Sequence, residues 1–106
     1  MKQYVIVYLG GNQPADPEKA SQHFEKYMQW LTSLGESVVI PTIPLKDTTT
    51  VGSDGSINDG GSCGMSGFTI LKAENLPAAL KIAQACPFLE IGGSLEVSEL
   101  MQVPVQ

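Results

Sequence analysis

The feature that most constrains the fold is an uninterrupted apolar run near the start of the sequence. Residues 4–9 (YVIVYL) are β-branched, aromatic or aliphatic throughout, which is the composition of a β-strand. The apolar residues do not alternate with polar ones, so both faces of this strand need to be covered in the folded protein. The run therefore predicts a strand in the middle of a sheet whose two faces are both buried.

A helix is predicted after the Gly-rich turn that follows this strand. Asp16 is a good N-cap, Pro17 suits the first helical position, and Glu18 carries the negative charge that the helix dipole favours in the first turn. Gly35 is the expected C′ residue. The apolar positions recur at alternating spacings of four and three residues, which predicts a stripe that packs on a sheet: Ala20, Phe24, Tyr27, Leu31 and Leu34, with Met28 beside them.

The rest of the sequence predicts three further sheet strands and a second helix. Residues 36–43 form a strand that Pro41 moves toward an edge or a bulge. Residues 48–51 and 56–58 pair as a small hairpin within a long polar segment, and residues 68–71 form the third sheet strand. The remaining elements are a helix capped by Asn75, with a stripe at Leu76, Ala79, Leu80 and Ala83, and a final strand around Leu95 and Val97.

The predicted order is that of a ferredoxin-like fold. It reads β-α-β-(hairpin)-β-α-β, an α+β arrangement with an antiparallel sheet and two helices on one face. The first strand is apolar on both faces, but two helices cover only one of them. We therefore expect a homodimer in which the uncovered sheet faces of two copies pack together.

Length, composition and charge exclude several classes of protein. The 106 residues predict one domain spanning 1–106, and 42% hydrophobic residues with 16% charged ones are globular values. A formal charge of −5 opposes binding to nucleic acid or to anionic membranes. No apolar run approaches the ~18 residues of a membrane span. The sequence leaves one disulfide between its two cysteines open, but isolated cysteines without a signal segment favour reduced thiols in a cytoplasmic protein.

The sequence resembles a known family along most of its length. The residues that carry the resemblance are 28–31 (MQWL), Leu34-Gly35, Pro44-Leu45, Asp59-Gly60, 67–71 (GFTIL), Ala79, Leu80, Ala83, Cys86-Pro87 and 92–97 (GGSLEV). In these segments the chain resembles YCII-related proteins, the group also known by its DGPF motif. The resemblance implies a dimeric α+β barrel. One departure is clear: where the motif continues Pro-Phe after Asp59-Gly60, this chain has Gly61-Ser62.

The resemblance also implies a candidate catalytic residue. His23, the one histidine of the sequence, occupies a place similar to that of a helix-one histidine that is paired with an aspartate in some members of the family. No motif identifies the matching aspartate, and Asp47 and Asp59 are the loop candidates. Tyr27 and Trp30 are candidates for lining an aromatic ligand pocket. The structural alternatives are a half-exposed helix histidine bonded to water or backbone, and helix aromatics that belong to the core.

Other motifs carry little functional weight. The Asp54-x-Ser56-x-Asn58 pattern resembles the opening of a calcium loop, but Met65 stands where a bidentate glutamate is required. We therefore predict a turn and no metal site. Cys63 and Cys86 show no neighbouring base or cation that would stabilise a thiolate. The Gly-Gly after the first strand lacks the spacing of a dinucleotide-binding fingerprint, and no cofactor is expected.

Two function classes follow from these observations. In the first, a cleft between helix one and the sheet binds a small organic molecule, on which His23 acts as a general acid/base in a lyase or isomerase reaction. In the second, the protein is a non-catalytic dimeric module that binds a metabolite or a protein partner. A fold of this kind hosts unrelated functions and does not decide between them.

Overall fold

The computed structural model describes residues 1–12, 14–59 and 64–101. The long elements alternate between strand and helix as the sequence predicts. In chain order they are β1 (Lys2–Gly10), α1 (Pro17–Ser33), β2 (Val38–Pro44), β3 (Thr49–Val51), β4 (Ile57–Asp59), β5 (Met65–Ala73), α2 (Leu76–Gln84) and β6 (Gly93–Glu99). Short 3₁₀ helices at Gly35–Ser37 and Pro87–Ile91 follow the two α-helices.

The main sheet has four antiparallel strands in the order β2-β5-β1-β6. The apolar first strand therefore lies inside the sheet, between β5 and β6, as its composition predicts. This order, with two helices in the connections, confirms the ferredoxin-like α+β fold. The β3–β4 pair forms a separate two-stranded hairpin, which confirms the predicted insertion.

Strand β2 is an irregular edge strand. Its pairing with β5 shifts register twice, between Val38 and Ile40 and again between Ile40 and Ile43. Pro41 lies inside the second shift, because proline has no N–H to give to a ladder. The shifts change the register so that Thr42 lies beside Thr69 of β5, with its hydroxyl within hydrogen-bonding distance of Tyr8 and Thr69.

Helix α1 begins and ends as its sequence predicts, and most of its predicted stripe packs against the core. The Asp16 side chain accepts a hydrogen bond from the Glu18 amide, and Gly35 follows the helix with φ 53°. Tyr27, Leu31 and Leu34 pack against the core, whereas Phe24, also predicted to face the sheet, is 61% exposed. Trp30, outside the predicted stripe, is buried, and its indole N–H donates to the carbonyl of Ile82 in α2 at 3.2 Å.

Helix α2 is capped by Asn75, whose side chain accepts a hydrogen bond from the Ala78 amide. Ala79 and Ala83 are buried as predicted. Leu76 and Leu80, predicted to belong to the same stripe, are 44% and 43% exposed. The two alanines allow α2 to approach the sheet closely, and the larger leucines lie at the margin of the contact.

The core lies between the two helices and one face of the sheet. Residues of β1 and β5 alternate between this face and the opposite one, and those facing the helices are almost inaccessible: Tyr4, Ile6, Tyr8, Thr69, Leu71 and Ala73. On the opposite face, Val5 pairs with Ile70 and Val7 pairs with Phe68. This opposite face, defined by Val5, Val7, Phe68 and Ile70, is called the outer sheet face below.

Within the described part of the chain, no helix has the length and hydrophobicity required to cross a membrane.

Candidate functional site

A cavity of about 440 Å³ lies between α1, the sheet and the 3₁₀ helix at Pro87–Ile91. Its polar lining side chains are four hydroxyls and one imidazole, and the rest of its lining is apolar. The lining residues are Tyr8, His23, Phe24, Tyr27, Met28, Leu31, Pro41, Thr42, Pro44, Ser66, Gly67 and Phe88. Among these lining residues there is no aspartate, glutamate, lysine or arginine.

Hydroxyl groups from α1 and three strands meet at the base of this cavity. The Tyr8 hydroxyl lies 2.6 Å from Thr69 Oγ1, and Thr69 Oγ1 lies 2.6 Å from Thr42 Oγ1. The Tyr27 hydroxyl donates to the Tyr8 hydroxyl at 2.7 Å and is also hydrogen-bonded to Thr42. These four residues are called the hydroxyl cluster below.

Burial disfavours ionisation of Tyr8 in the hydroxyl cluster. Tyr8 is only 3% exposed, and burial is the main cause that raises the pKa of its phenol above the ordinary value. Hydrogen bonds from Thr42 and Thr69 oppose this effect but do not cancel it. Tyr8 is therefore a neutral phenol at physiological pH, and it offers the cavity hydrogen bonds and not a negative charge.

Two glycines, Gly11 and Gly93, allow an aromatic ring to close one side of the cavity. The Phe88 ring packs edge-on against Tyr8 with centroids 5.2 Å apart. A Cβ atom on Gly93 would lie 2.1 Å from this ring, and one on Gly11 would lie 2.8 Å from it. Both contacts are too close for any side chain, so glycine at these positions gives Phe88 its place beside Tyr8.

His23 lines the cavity one helical turn before Tyr27, at the i, i+4 spacing that brings two side chains together. Its side chain is half-buried. No carboxylate of the described residues lies within ion-pair distance of its ring. Asp47 and Asp59 are exposed and do not line the cavity, so their pairing with His23 stays a prediction.

The two predicted aromatic ligand residues lie in different surroundings. Tyr27 lines the cavity and belongs to the hydroxyl cluster. Trp30 is 8% exposed, belongs to the core and does not line the cavity. The two rings are in contact, with centroids 5.6 Å apart, so Trp30 packs against Tyr27 from the side of the core.

Sequence reasoning missed most of the hydroxyl cluster. The sequence predicts only a strand position for Tyr8, and it gives no site role to Thr42 or Thr69. A signal existed for two of them: Tyr8 lies on the alternate positions of β1 that also hold Ile6, and Thr69 is a hydroxyl inside an apolar strand. Because a buried hydroxyl needs a hydrogen-bond partner, a threonine at this position indicates a polar group close to it in the fold.

The remaining candidate motifs have structural roles. Cys86 is a free, buried thiol, and burial raises its pKa to about 11, so it is a poor nucleophile. Asp54 accepts a hydrogen bond from the Ser56 amide in the β3–β4 turn, and bonds from Ser56 lower the pKa of its carboxyl. Among residues 1–12, 14–59 and 64–101, no three metal-ligating side chains cluster. Cys63 and the Gly60-Gly61-Ser62 part of the family motif lie outside the described residues.

Fold and cavity together define a ferredoxin-like domain with a small-molecule-sized site against helix one. The sequence matches the YCII-related domain over residues 3–103. The chain therefore belongs to the YCII-related family, which confirms the resemblance seen in its motifs. No curated protein matches it.

A solved structure shares the fold along nearly the whole chain. It is 5-chloro-2-hydroxyhydroquinone dehydrochlorinase (TftG) from Burkholderia phenoliruptrix AC1100, in complex with 2,5-dihydroxybenzoquinone. The TM-score is 0.57 at 15% sequence identity, and the match covers 94% of this chain and 95% of that chain. At this identity the likeness shows the common fold alone.

Proposed function

We propose that the cavity binds a small organic molecule and that His23 acts on it as a general acid/base, in a reaction of the lyase or isomerase type. The observation that carries the proposal is the position of the imidazole. His23 is the one histidine of this sequence, with an imidazole that can both accept and donate a proton, and it lines a cavity that is otherwise apolar or hydroxylic. General acid/base catalysis needs such a group within reach of a bound molecule.

The lining indicates what kind of molecule the cavity accepts. Its volume of about 440 Å³ lies within the range of about 300–1,000 Å³ that is usual for small-molecule sites. Phe24, Met28 and Phe88 provide apolar and aromatic walls, and Tyr27 provides a hydroxyl next to His23. A ring-sized molecule with few charges suits these walls. The dehydrochlorinase that shares the fold is named for a substrate of this size, which supports the proposal without establishing it.

The proposed role of His23 has a direct test in two variants. His23→Gln keeps a polar side chain of similar size but cannot exchange a proton near neutral pH, so catalysis is lost while ligand binding is largely retained. Gln22→Ala alters the neighbouring exposed residue, which does not line the cavity, and serves as the control. The first substrate to try is 5-chloro-2-hydroxyhydroquinone, with released chloride as the readout. Chloride release by wild type and Gln22→Ala but not by His23→Gln supports the assignment, whereas equal release by all three contradicts it.

The alternative function is that of a non-catalytic binding module. One observation favours it: no described carboxylate fixes the His23 ring, and a general base is usually held by a third group. In the catalytic proposal, Asp47 or Asp59 can hold the His23 ring only if the loop that carries the aspartate moves toward α1. A ligand that binds wild type and His23→Ala equally, with no turnover by either protein, would favour the binding module.

We also propose that two copies form a homodimer through their outer sheet faces. Val5, Val7, Phe68 and Ile70 form an apolar surface in the middle of the sheet, opposite both helices. Packing two such faces removes this surface from water, as in other sheet-on-sheet contacts. Ile70→Arg places a charge in the proposed interface and is expected to give monomers, as measured by sedimentation equilibrium. Leu80→Arg, on the exposed side of α2, is the control and is expected to remain dimeric.

A reducing compartment such as the cytoplasm suits this protein, because Cys86 is a free thiol in the core.

A further inference from the structure

Each hydroxyl group has one proton to donate, and this fixes the direction of the four shorter hydrogen bonds in the hydroxyl cluster, the fifth contact being Tyr8–Thr42 at 3.4 Å. Tyr27 donates to Tyr8, so its proton is used there. In the Tyr27–Thr42 hydrogen bond the proton therefore comes from Thr42. It follows that Thr69 donates to Thr42 and that Tyr8 donates to Thr69. The four hydrogen bonds form a closed ring in which each hydroxyl donates once and accepts once.

Because the ring is closed, the hydroxyl cluster presents hydrogen-bond acceptors, and no donors, to the cavity. All four protons are used inside the cluster, while each oxygen keeps a free lone pair. Tyr8, Tyr27 and Thr42 line the cavity with these oxygens. Ser66 has the same property, because its hydroxyl proton is donated to the Tyr8 carbonyl at 3.2 Å. Among the described lining side chains, His23 alone is left with a proton to offer a ligand.

We infer that the hydroxyl cluster selects a neutral ligand that donates a hydrogen bond, such as a phenol, an alcohol or an amide N–H, and discriminates against the matching ligand that can only accept. The inference rests on the proposed function in one respect, namely that the cavity takes a small organic molecule. An ionised phenolate or carboxylate is disfavoured at the hydroxyl cluster, because oxygen lone pairs repel it and no lysine or arginine lines the cavity.

The ring also predicts that removing one oxygen changes which ligand is preferred. In Tyr27→Phe the Thr42 proton loses its acceptor and becomes available to a ligand, so the cavity gains a donor. In Thr42→Val the cavity loses an acceptor, and the proton set free belongs to Thr69, which does not line the cavity. The two variants each remove one hydroxyl from the cluster, but only Tyr27→Phe creates a donor on the cavity side.

The test compares phenol, which donates and accepts, with anisole, which only accepts, by NMR titration of the labelled protein. Wild type is expected to bind phenol about fivefold more tightly than anisole, the factor that corresponds to one neutral hydrogen bond. Tyr27→Phe is expected to bind anisole more tightly than wild type does, which reduces the phenol preference to about twofold or less. Thr42→Val is expected to bind anisole no more tightly than wild type does.

The outcomes separate this inference from the proposed function. Equal binding of phenol and anisole by the wild type, with shifts at cavity residues, overturns the acceptor surface and leaves the proposed ligand cavity intact. An equal gain in anisole binding by both variants also overturns the ring, because only one of them has a free donor. No binding of either molecule up to its solubility limit overturns both the inference and the proposed function.

Discussion

Thr69→Val tests the energetic contribution of the hydroxyl cluster, since it replaces one hydroxyl by a methyl group of similar volume. Thr69 is fully buried and makes hydrogen bonds of 2.6 Å to Tyr8 and to Thr42. Two neutral buried hydrogen bonds stabilise the folded protein by about 2 kcal/mol. Burial of the added methyl group offsets about 0.8 kcal/mol of the stability lost with them. The alternative acceptor for the Tyr8 proton is Thr42, at 3.4 Å. The expected net loss of unfolding free energy is therefore about 1–2 kcal/mol.

Urea denaturation measures this loss as a lower midpoint at an unchanged slope. All proteins are compared at one concentration, because dimerisation would couple stability to concentration. Thr32→Val, on the exposed side of α1, makes the same chemical change outside the core and is expected to shift stability by less than about 0.5 kcal/mol. If Thr69→Val is as stable as Thr32→Val, the cluster does not contribute as described.

A double-mutant cycle then tests whether the hydroxyls act together. Tyr8→Phe alone leaves Thr69 and Tyr27 without one partner each, and Thr69→Val alone leaves the Tyr8 proton without its acceptor. In the double variant the Tyr8–Thr69 bond is lost only once, so its cost is expected to be smaller than the sum of the two single costs by about 1 kcal/mol. Strict additivity would mean that the two hydroxyls do not interact in the folded protein.

Three further predictions follow from the core and from the cavity walls. Tyr4→Phe is expected to leave stability unchanged or to raise it by about 1 kcal/mol in urea denaturation, because the buried Tyr4 hydroxyl has no hydrogen-bond partner among the described residues. Burial raises the Cys86 pKa from 9.0 to about 11, so the protonated thiol contributes fully to the free energy of unfolding below pH 9, and this contribution is lost as the pH rises to about 11. A Cys86→Ala variant is therefore expected to lose less stability than wild type over that interval. An equal decline in the two proteins would contradict this. Gly93→Ala is expected to displace the Phe88 ring and to weaken the nuclear Overhauser effects between Phe88 and Tyr8, and unchanged effects would contradict the close packing described.

The sequence predicts the elements and their order well, because those depend on local signals. Asp16 and Asn75 cap the two helices, and Gly35 ends the first one, since each acts on backbone groups within a few residues. The position of β1 inside the sheet follows from its uninterrupted apolar composition. The burial of individual helix residues does not follow in this way: Phe24, on the predicted stripe, is exposed, and Trp30, outside it, is buried with its indole N–H bonded to a carbonyl 52 residues away.

The hydroxyl cluster was beyond sequence reasoning for a related reason. Its members are 15 to 61 positions apart, so no local pattern connects them. The two register shifts in β2 decide which residue of β5 lies opposite Thr42, and counting along the strands does not predict them. His23 and Tyr27 were identified because both lie on one helix at i, i+4 spacing, where a sequence pattern does specify proximity.

The central claim, that the cavity beside α1 is the ligand site, has a direct test in the methionine methyl groups. Met28 lines the cavity, whereas Met1 and Met101 are both 82% exposed and lie together at another part of the surface. In protein labelled with ¹³C at the methionine methyls, phenol is expected to shift the Met28 signal saturably and to leave the Met1 and Met101 signals in place. A Met28→Leu variant assigns the signal. An unmoved Met28 signal, or equal shifts at all three methyl groups, would contradict the claim.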